Sequence, residues 1–188
     1  FMQTIAYSIL IVLLDSPAAY AEAMFNKILG VDVGGVIIDR QNDRADTSFF
    51  GPNYLQTTAV SGVFEALRKA GELGFTVHLV SKCGENTQRK TLEWLAHHDF
   101  YRRTGVEPAR VHFCRTRPQK APICKAQGIT HFVDDRLDVL EYLDDVGELF
   151  LFQPNEADGA RWRSSKHRSR LVTSWSEVLL QIAGAPIR

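Results

Sequence analysis

Residues 28–39, Ile-Leu-Gly-Val-Asp-Val-Gly-Gly-Val-Ile-Ile-Asp, place an apolar run directly before Asp32 and a double glycine directly after Val33. An apolar run of this kind reads as a buried strand, and Gly34 and Gly35 allow the chain to turn sharply out of it. The carboxylate of Asp32 is then set at the C-terminal end of a buried strand, the edge at which open α/β sheets bind their ligands.

The remainder of the chain alternates in a way that fits such a sheet. Apolar runs at 28–33, 75–80, 111–114, 130–133 and 148–152 read as strands. Between them, 59–73, 85–98, 121–127 and 137–143 read as helices, and 174–182 closes the chain with Ser174 as its cap. In 59–73, Val63, Leu67 and Ala70 share one face and Gly74 stops the helix; in 174–182, Trp175, Val178, Leu179 and Ile182 do the same. Apolar strands alternating with helices predict an α/β fold, a three-layer α/β/α sandwich around a mainly parallel, Rossmann-like sheet. No internal repeat and no linker divides residues 27–188, so a single domain is expected there.

At 188 residues, with 45% hydrophobic and 23% charged residues, the chain can build one core and cover it. A formal net charge of +0 gives no global field to recruit nucleic acid or an acidic membrane. Cys83, Cys114 and Cys124 are odd in number and spaced for neither a zinc ribbon nor a disulfide framework, so reduced thiols in a cytoplasmic protein are the simplest reading. Residues 1–26 form a separate apolar extension. Residues 5–14 are almost wholly apolar and are followed by Ala19-Tyr20-Ala21, which has the small-x-small form of a secretory cleavage site, but no Lys or Arg precedes Lys27. An extra helix, packed on the domain or used for homo-oligomer contacts, and an uncleaved signal that would imply export, are the two readings of that segment. Neither it nor any later segment is long enough to span a bilayer.

The polar residues converge on one sheet edge. Asp32 ends the first strand, Ser81 and Lys82 end the second, Asp134 and Asp135 end the fourth, and Lys120 opens the helix before it. An Asp-x-Gly-Gly turn also resembles the phosphate loop of sugar kinases with the actin-like fold, but those need two large lobes and a second phosphate motif. The whole order, an Asp turn, a Ser after an apolar strand, an isolated Lys and a strand-terminal acidic pair, resembles the four motifs of the haloacid dehalogenase superfamily over residues 27–152. That resemblance implies a Mg²⁺-dependent phosphohydrolase acting on a phosphomonoester. Asp32 would be the nucleophile that forms an aspartyl-phosphate, and Lys120 would neutralise it. Ser81, Lys82 and the Gly34-Gly35 turn would hold the phosphoryl group. Asp32, the Gly34 carbonyl, Asp134 and Asp135 would hold Mg²⁺, a hard cation suited to oxygen ligands. Residues 41–58 and 83–119 leave no room for an inserted cap domain, which implies a capless site open to a bulky phosphorylated substrate.

One position departs from the family pattern: Gly34 stands where the family has a second aspartate, the group that protonates the leaving group and activates water. Such acid–base catalysis is worth roughly 10²–10⁴ in rate. The alternative is therefore a catalytically impaired module of the same fold that binds phosphate or a phosphoprotein. Asp39 and His78 are candidate substitute acids, Asp138 a candidate support for the metal shell, and Cys83 a candidate lining residue. Arg161-Trp162-Arg163 through Lys166, His167, Arg168 and Arg170 form a basic run that reads either as a solvated loop before the last helix or as a contact for a polyanion.

Overall fold

In the computed structural model, which describes residues 27–40 and 48–184, Val31 lies beside Val133 on one flank and Leu79 on the other. The first strand, β1 (Ile28–Val31), is thus central to the sheet. β2 (Thr76–Lys82), β3 (Val111–Cys114), β4 (His131–Asp134), β5 (Glu148–Phe152) and β6 (Arg170–Val172) complete it in the order β3-β2-β1-β4-β5-β6, every pair parallel. This is the expected α/β architecture. The N-terminal extension anticipated over 1–26 lies outside the described residues.

Parallel neighbours require crossovers, and helices supply them: α1 (Val63–Glu72), α2 (Glu85–His97), α3 (Phe100–Thr104), α4 (Lys120–Ala126), α5 (Leu137–Leu140), α6 (Glu156–Ser164) and α7 (Trp175–Ile182). Strand alternation divides the core in two. Leu29, Val31, Phe150 and Phe152 pack with Leu67 of α1, Trp94 of α2 and Val178 of α7. Phe132, Leu149 and Leu151 pack with Cys124 of α4 and Leu137 and Leu140 of α5. Gly30 gives β1 no side chain on this second face, because a Cβ there would stand 2.4 Å from the ring of Phe132. Phe132 therefore lies across the centre of the sheet, and its ring centroid is 5.4 Å from the Lys120 ammonium.

The winding reverses once. From β1 the chain moves outward to β2 and β3, then returns to the far side of β1 as β4 and moves outward again to β5 and β6. The crevice at such a reversal lies here between the C-terminal ends of β1 and β4.

Three elements differ from the sequence expectation. Segment 83–119 carries a second helix, α3, after α2, with Asp99 in the left-handed region at the break (φ 55°). The basic run is not a loop throughout. Arg161 to Arg163 belong to α6, capped where the Asn155 side chain accepts from the Asp158 N–H at 2.8 Å, and Arg170 opens the edge strand β6. Three of its charges are used within the fold. Arg168 donates to the carbonyls of Leu143 (2.9 Å), Val146 (2.6 Å) and Gly147 (2.8 Å), Arg170 pairs with Glu148 at 2.8 Å, and Arg161 pairs with Glu141. All three cysteines are buried free thiols. Among the described residues no helix is long and apolar enough to cross a membrane.

Gly30→Ala should lower the unfolding free energy by about 1–3 kcal/mol, since Phe132 must leave its rotamer or β1 must shift. A urea midpoint equal to wild type would mean that β1 and β4 do not meet in this register.

Candidate active site

Asp32 is the first residue beyond β1, yet it continues the ladder: its N–H donates to the Val133 carbonyl at 2.9 Å. That bond aligns Asp32 with Asp134, the last residue of β4, and with Asp135 after it. The turn beyond Asp32 closes on itself. Ile37 and Ile38 both donate to the Val33 carbonyl at 2.9 Å, and the Gly35 N–H, committed to the Ile38 carbonyl at 2.8 Å, closes the loop. Only glycine suits position 35, where φ is +85° and a Cβ would lie 2.7 Å from Asp135 Oδ2. Gly34 is under neither constraint: it is outside the left-handed region, and a Cβ there would meet the side chain of Arg40 at an ordinary 3.4 Å. From the other end of the chain, the Trp175 indole donates to the Val36 carbonyl at 2.9 Å.

Lys120 reaches this edge from the first position of α4, behind a 3-10 turn (Arg117–Gln119) locked by reciprocal Thr116 and Gln119 capping bonds. Its ammonium, 1% exposed, donates to Asp32 Oδ1 and to Asp134 Oδ2, both at 2.7 Å. Burial alone would push its proton off, but the carboxylates of Asp134 and Asp32 outweigh that and raise its affinity for the proton above the ordinary lysine value. Asp134 Oδ1 accepts from the Arg136 N–H at 3.0 Å. Burial also pushes the carboxyls up, Asp134 to about 7 against the pull of Lys120, and Asp135 to about 8 with the charges of Asp32 and Asp134 adding to it. One ammonium does not balance three carboxylates in a water-poor corner.

That excess of negative charge tests whether a cation fits. Asp32, Asp134 and Asp135 each offer an oxygen, all within 4.8 Å of one another. Carboxylate oxygens alone suit a hard divalent ion such as Mg²⁺ and do not suit a thiophilic one.

Above the cluster opens a cavity of about 340 Å³. Asp32, Gly34, Ser81, Lys82, Lys120, Asp134 and Asp135 all line it, so the sequence candidates meet in one place; Gly35 lines the cleft next to it. Of the remaining candidates, His78, Asp138 and Asp39 do not line this cavity, whereas Cys83 does. His78 faces the neighbouring strand, its Nδ1 3.0 Å from His112 Nε2 with the two rings stacked, and it does not line the cavity. Asp138 accepts from Arg117 at 2.8 Å and faces the Arg136 guanidinium at 3.4 Å, pairing with two arginines of the cavity outside the acidic cluster. Asp39 lines the adjoining cleft with Gly35 and Asp135. Cys83 lines the cavity wall, where burial pushes its thiol up and keeps it protonated. The structure adds Arg40, Phe50, Arg117 and Arg136 to the rim. Of these, only Arg136, beside the acidic pair, had a sequence context that pointed to the site.

No family model and no curated protein matches this sequence. Solved structures do match the fold. D,D-heptose 1,7-bisphosphate phosphatase from B. bronchiseptica, complexed with magnesium and phosphate, aligns with a TM-score of 0.63 at 17% identity over 84% of this chain and 98% of that one. The enzyme of that name from Burkholderia thailandensis gives 0.57 at 14% identity over 84% and 98%. A HAD family hydrolase from Deinococcus radiodurans R1 with bound phosphate and sodium gives 0.56 at 14% identity over 86% and 96%. At such identities the shared property is the fold.

The raised carboxyls make a stability prediction. A carboxyl whose folded pKa lies above its unfolded 3.8 stabilises the fold below that value and loses its contribution as pH rises through the folded value. With chelator present, the stability of wild type minus that of Asp135→Asn should therefore fall by about 2–4 kcal/mol between pH 4 and pH 8.5. Saturating Mg²⁺ should remove most of that fall. A pH-independent difference in denaturant titrations would place Asp135 outside the charged cluster.

Proposed function

We propose that this chain is a phosphohydrolase of the haloacid dehalogenase type, acting on a phosphate ester through a covalent intermediate on Asp32. The observation that carries the reading is the Asp32–Lys120–Asp134 bridge at the switch point of the sheet, with Asp135 beside it. Lys120 holds one oxygen of Asp32 and leaves the other as the attacking atom. Buried, it also partly neutralises the charge that builds as an anionic carboxylate approaches an anionic phosphoryl group. Ser81 and Lys82, at the end of β2, face the same cavity and would hold phosphoryl oxygens by a hydroxyl bond and by charge. Asp32, the Gly34 carbonyl, Asp134 and Asp135 would hold Mg²⁺, which when bound supplies the positive charge that lets nucleophile and phosphoryl group meet.

The chemistry runs in two displacements. An Asp32 oxygen bonds to phosphorus as the ester oxygen leaves, and water then cleaves the aspartyl-phosphate and restores the carboxylate. Gly34 favours a second reading, a module of the same fold that binds phosphate or a phosphoprotein without turning it over. A capless, open mouth would suit a bulky substrate in either case.

Asp32→Asn separates the two. The amide is nearly isosteric with the carboxylate but cannot attack, so hydrolysis of p-nitrophenyl phosphate with Mg²⁺ should drop by at least about 10³-fold while the circular dichroism spectrum is unchanged. Acid-quenched wild type should carry phosphate on Asp32. A variant retaining a tenth of the activity would remove Asp32 from the nucleophile's role, and a wild type that binds phosphate analogues but cleaves no ester would establish the binding module.

A further inference from the structure

A phosphatase acting on alkyl esters must give the departing oxygen a proton, because an alkoxide is too basic to leave unaided. Among the described residues, no histidine, glutamate or tyrosine lines the cavity. Its carboxyl groups are Asp32, Asp134 and Asp135, the same three that a cation would hold, and a carboxylate holding a hard cation has already lost its proton. The Lys120 ammonium is committed to Asp32 and Asp134, 2.7 Å from an oxygen of each.

The space beside Gly34 is filled by a group that cannot donate one. A Cβ at position 34 would stand 3.4 Å from Arg40 Cδ and 3.8 Å from one of its guanidinium nitrogens. Arg40 lines the cavity, with its guanidinium carbon 5.8 Å from the ring centroid of Phe50 at the mouth. A guanidinium stays protonated in any protein environment, so it can neutralise an oxyanion and hydrogen-bond to it but cannot protonate it.

We propose that Arg40 receives the departing oxygen by charge alone, and that the site is therefore selective for phosphoryl groups carried on acidic oxygens: phosphoanhydrides and acyl phosphates. The proposal rests on Asp32 being the nucleophile. As the bond from Asp32 to phosphorus forms, the bond to the leaving oxygen breaks and its electron pair stays on that oxygen, which departs beside Arg40 as a phosphate or carboxylate anion without taking up a proton. Water then bonds to phosphorus, the electron pair of the aspartyl bond returns to Asp32, and the proton of water leaves with inorganic phosphate. With no base to assist that water among the described residues lining the cavity, the second step is the slower, and phosphorylated Asp32 accumulates.

The test uses the full chain with Mg²⁺ and a series of donors: pyrophosphate, acetyl phosphate, p-nitrophenyl phosphate, phenyl phosphate and methyl phosphate. The expected kcat/KM falls steeply with the basicity of the leaving group, by up to about tenfold per pKa unit, and methyl phosphate is barely cleaved. Acetyl phosphate and pyrophosphate separate the acyl from the anhydride source. Arg40→Met should lower kcat/KM for the preferred donor by about 10²-fold, with Arg40→Lys restoring part of it. A shallow dependence, with Asp32 still required, would overturn the assignment of Arg40 while leaving the nucleophile in place. So would an Asp39→Asn variant that loses alkyl esters alone, since the proton would then come from the neighbouring cleft. A wild type that cleaves no donor at all would overturn the nucleophile and this proposal together.

Discussion

Lys120 carries its ammonium into a place where almost no water reaches, and Asp32 and Asp134 are what hold it there. Taking an ammonium out of water costs several kcal/mol, and a single carboxylate seldom offsets that cost. Two do so here because β1 and β4 run side by side and in register, so that both strands end at the same height. The bridge thus requires that β1 and β4 pair, that Gly30 leave room for Phe132, and that α4 begin at Lys120. Each of these serves the sheet and the charged site at once.

The same bridge leaves Asp135 outside the hydrogen bonds of the ammonium. Lys120 is bonded to Asp32 and Asp134, while Asp135 sits against the bare backbone of Gly35. A side chain at position 35 would fill the space that this carboxylate uses. The two glycines therefore differ: position 35 is fixed by backbone conformation and by crowding, whereas position 34 is under neither constraint and faces the side chain of Arg40.

The strands at the heart of the sheet were legible because each is an uninterrupted apolar run, and Asp32, Ser81, Lys82 and the acidic pair could be read as strand ends for the same reason. Lys120 was legible from its order in the chain and not from any local pattern. What could not be read had no apolar signature. α6 buries only Asp158 and Gly159, so it shows no amphipathic stripe, and β6 is an edge strand of three residues that begins with an exposed arginine. α3 is a single short turn of helix set off by a left-handed Asp99. Arg40 and Phe50 lie in the connection between β1 and α1, where periodicity says nothing about which way a side chain faces.

The bond from the Trp175 indole to the Val36 carbonyl joins the last helix to the turn that follows Asp32, across 139 positions of sequence. A chain emerging from the ribosome has the whole of β1 to β6 before it has Trp175. Until α7 docks, the Val36 carbonyl lacks that partner, while Ile37 and Asp39 already bond to Val60 and Thr58. Synthesis therefore delivers all six strands before the indole that closes the turn, and a product broken off ahead of residue 175 would have the whole sheet but leave the Val36 carbonyl without that bond.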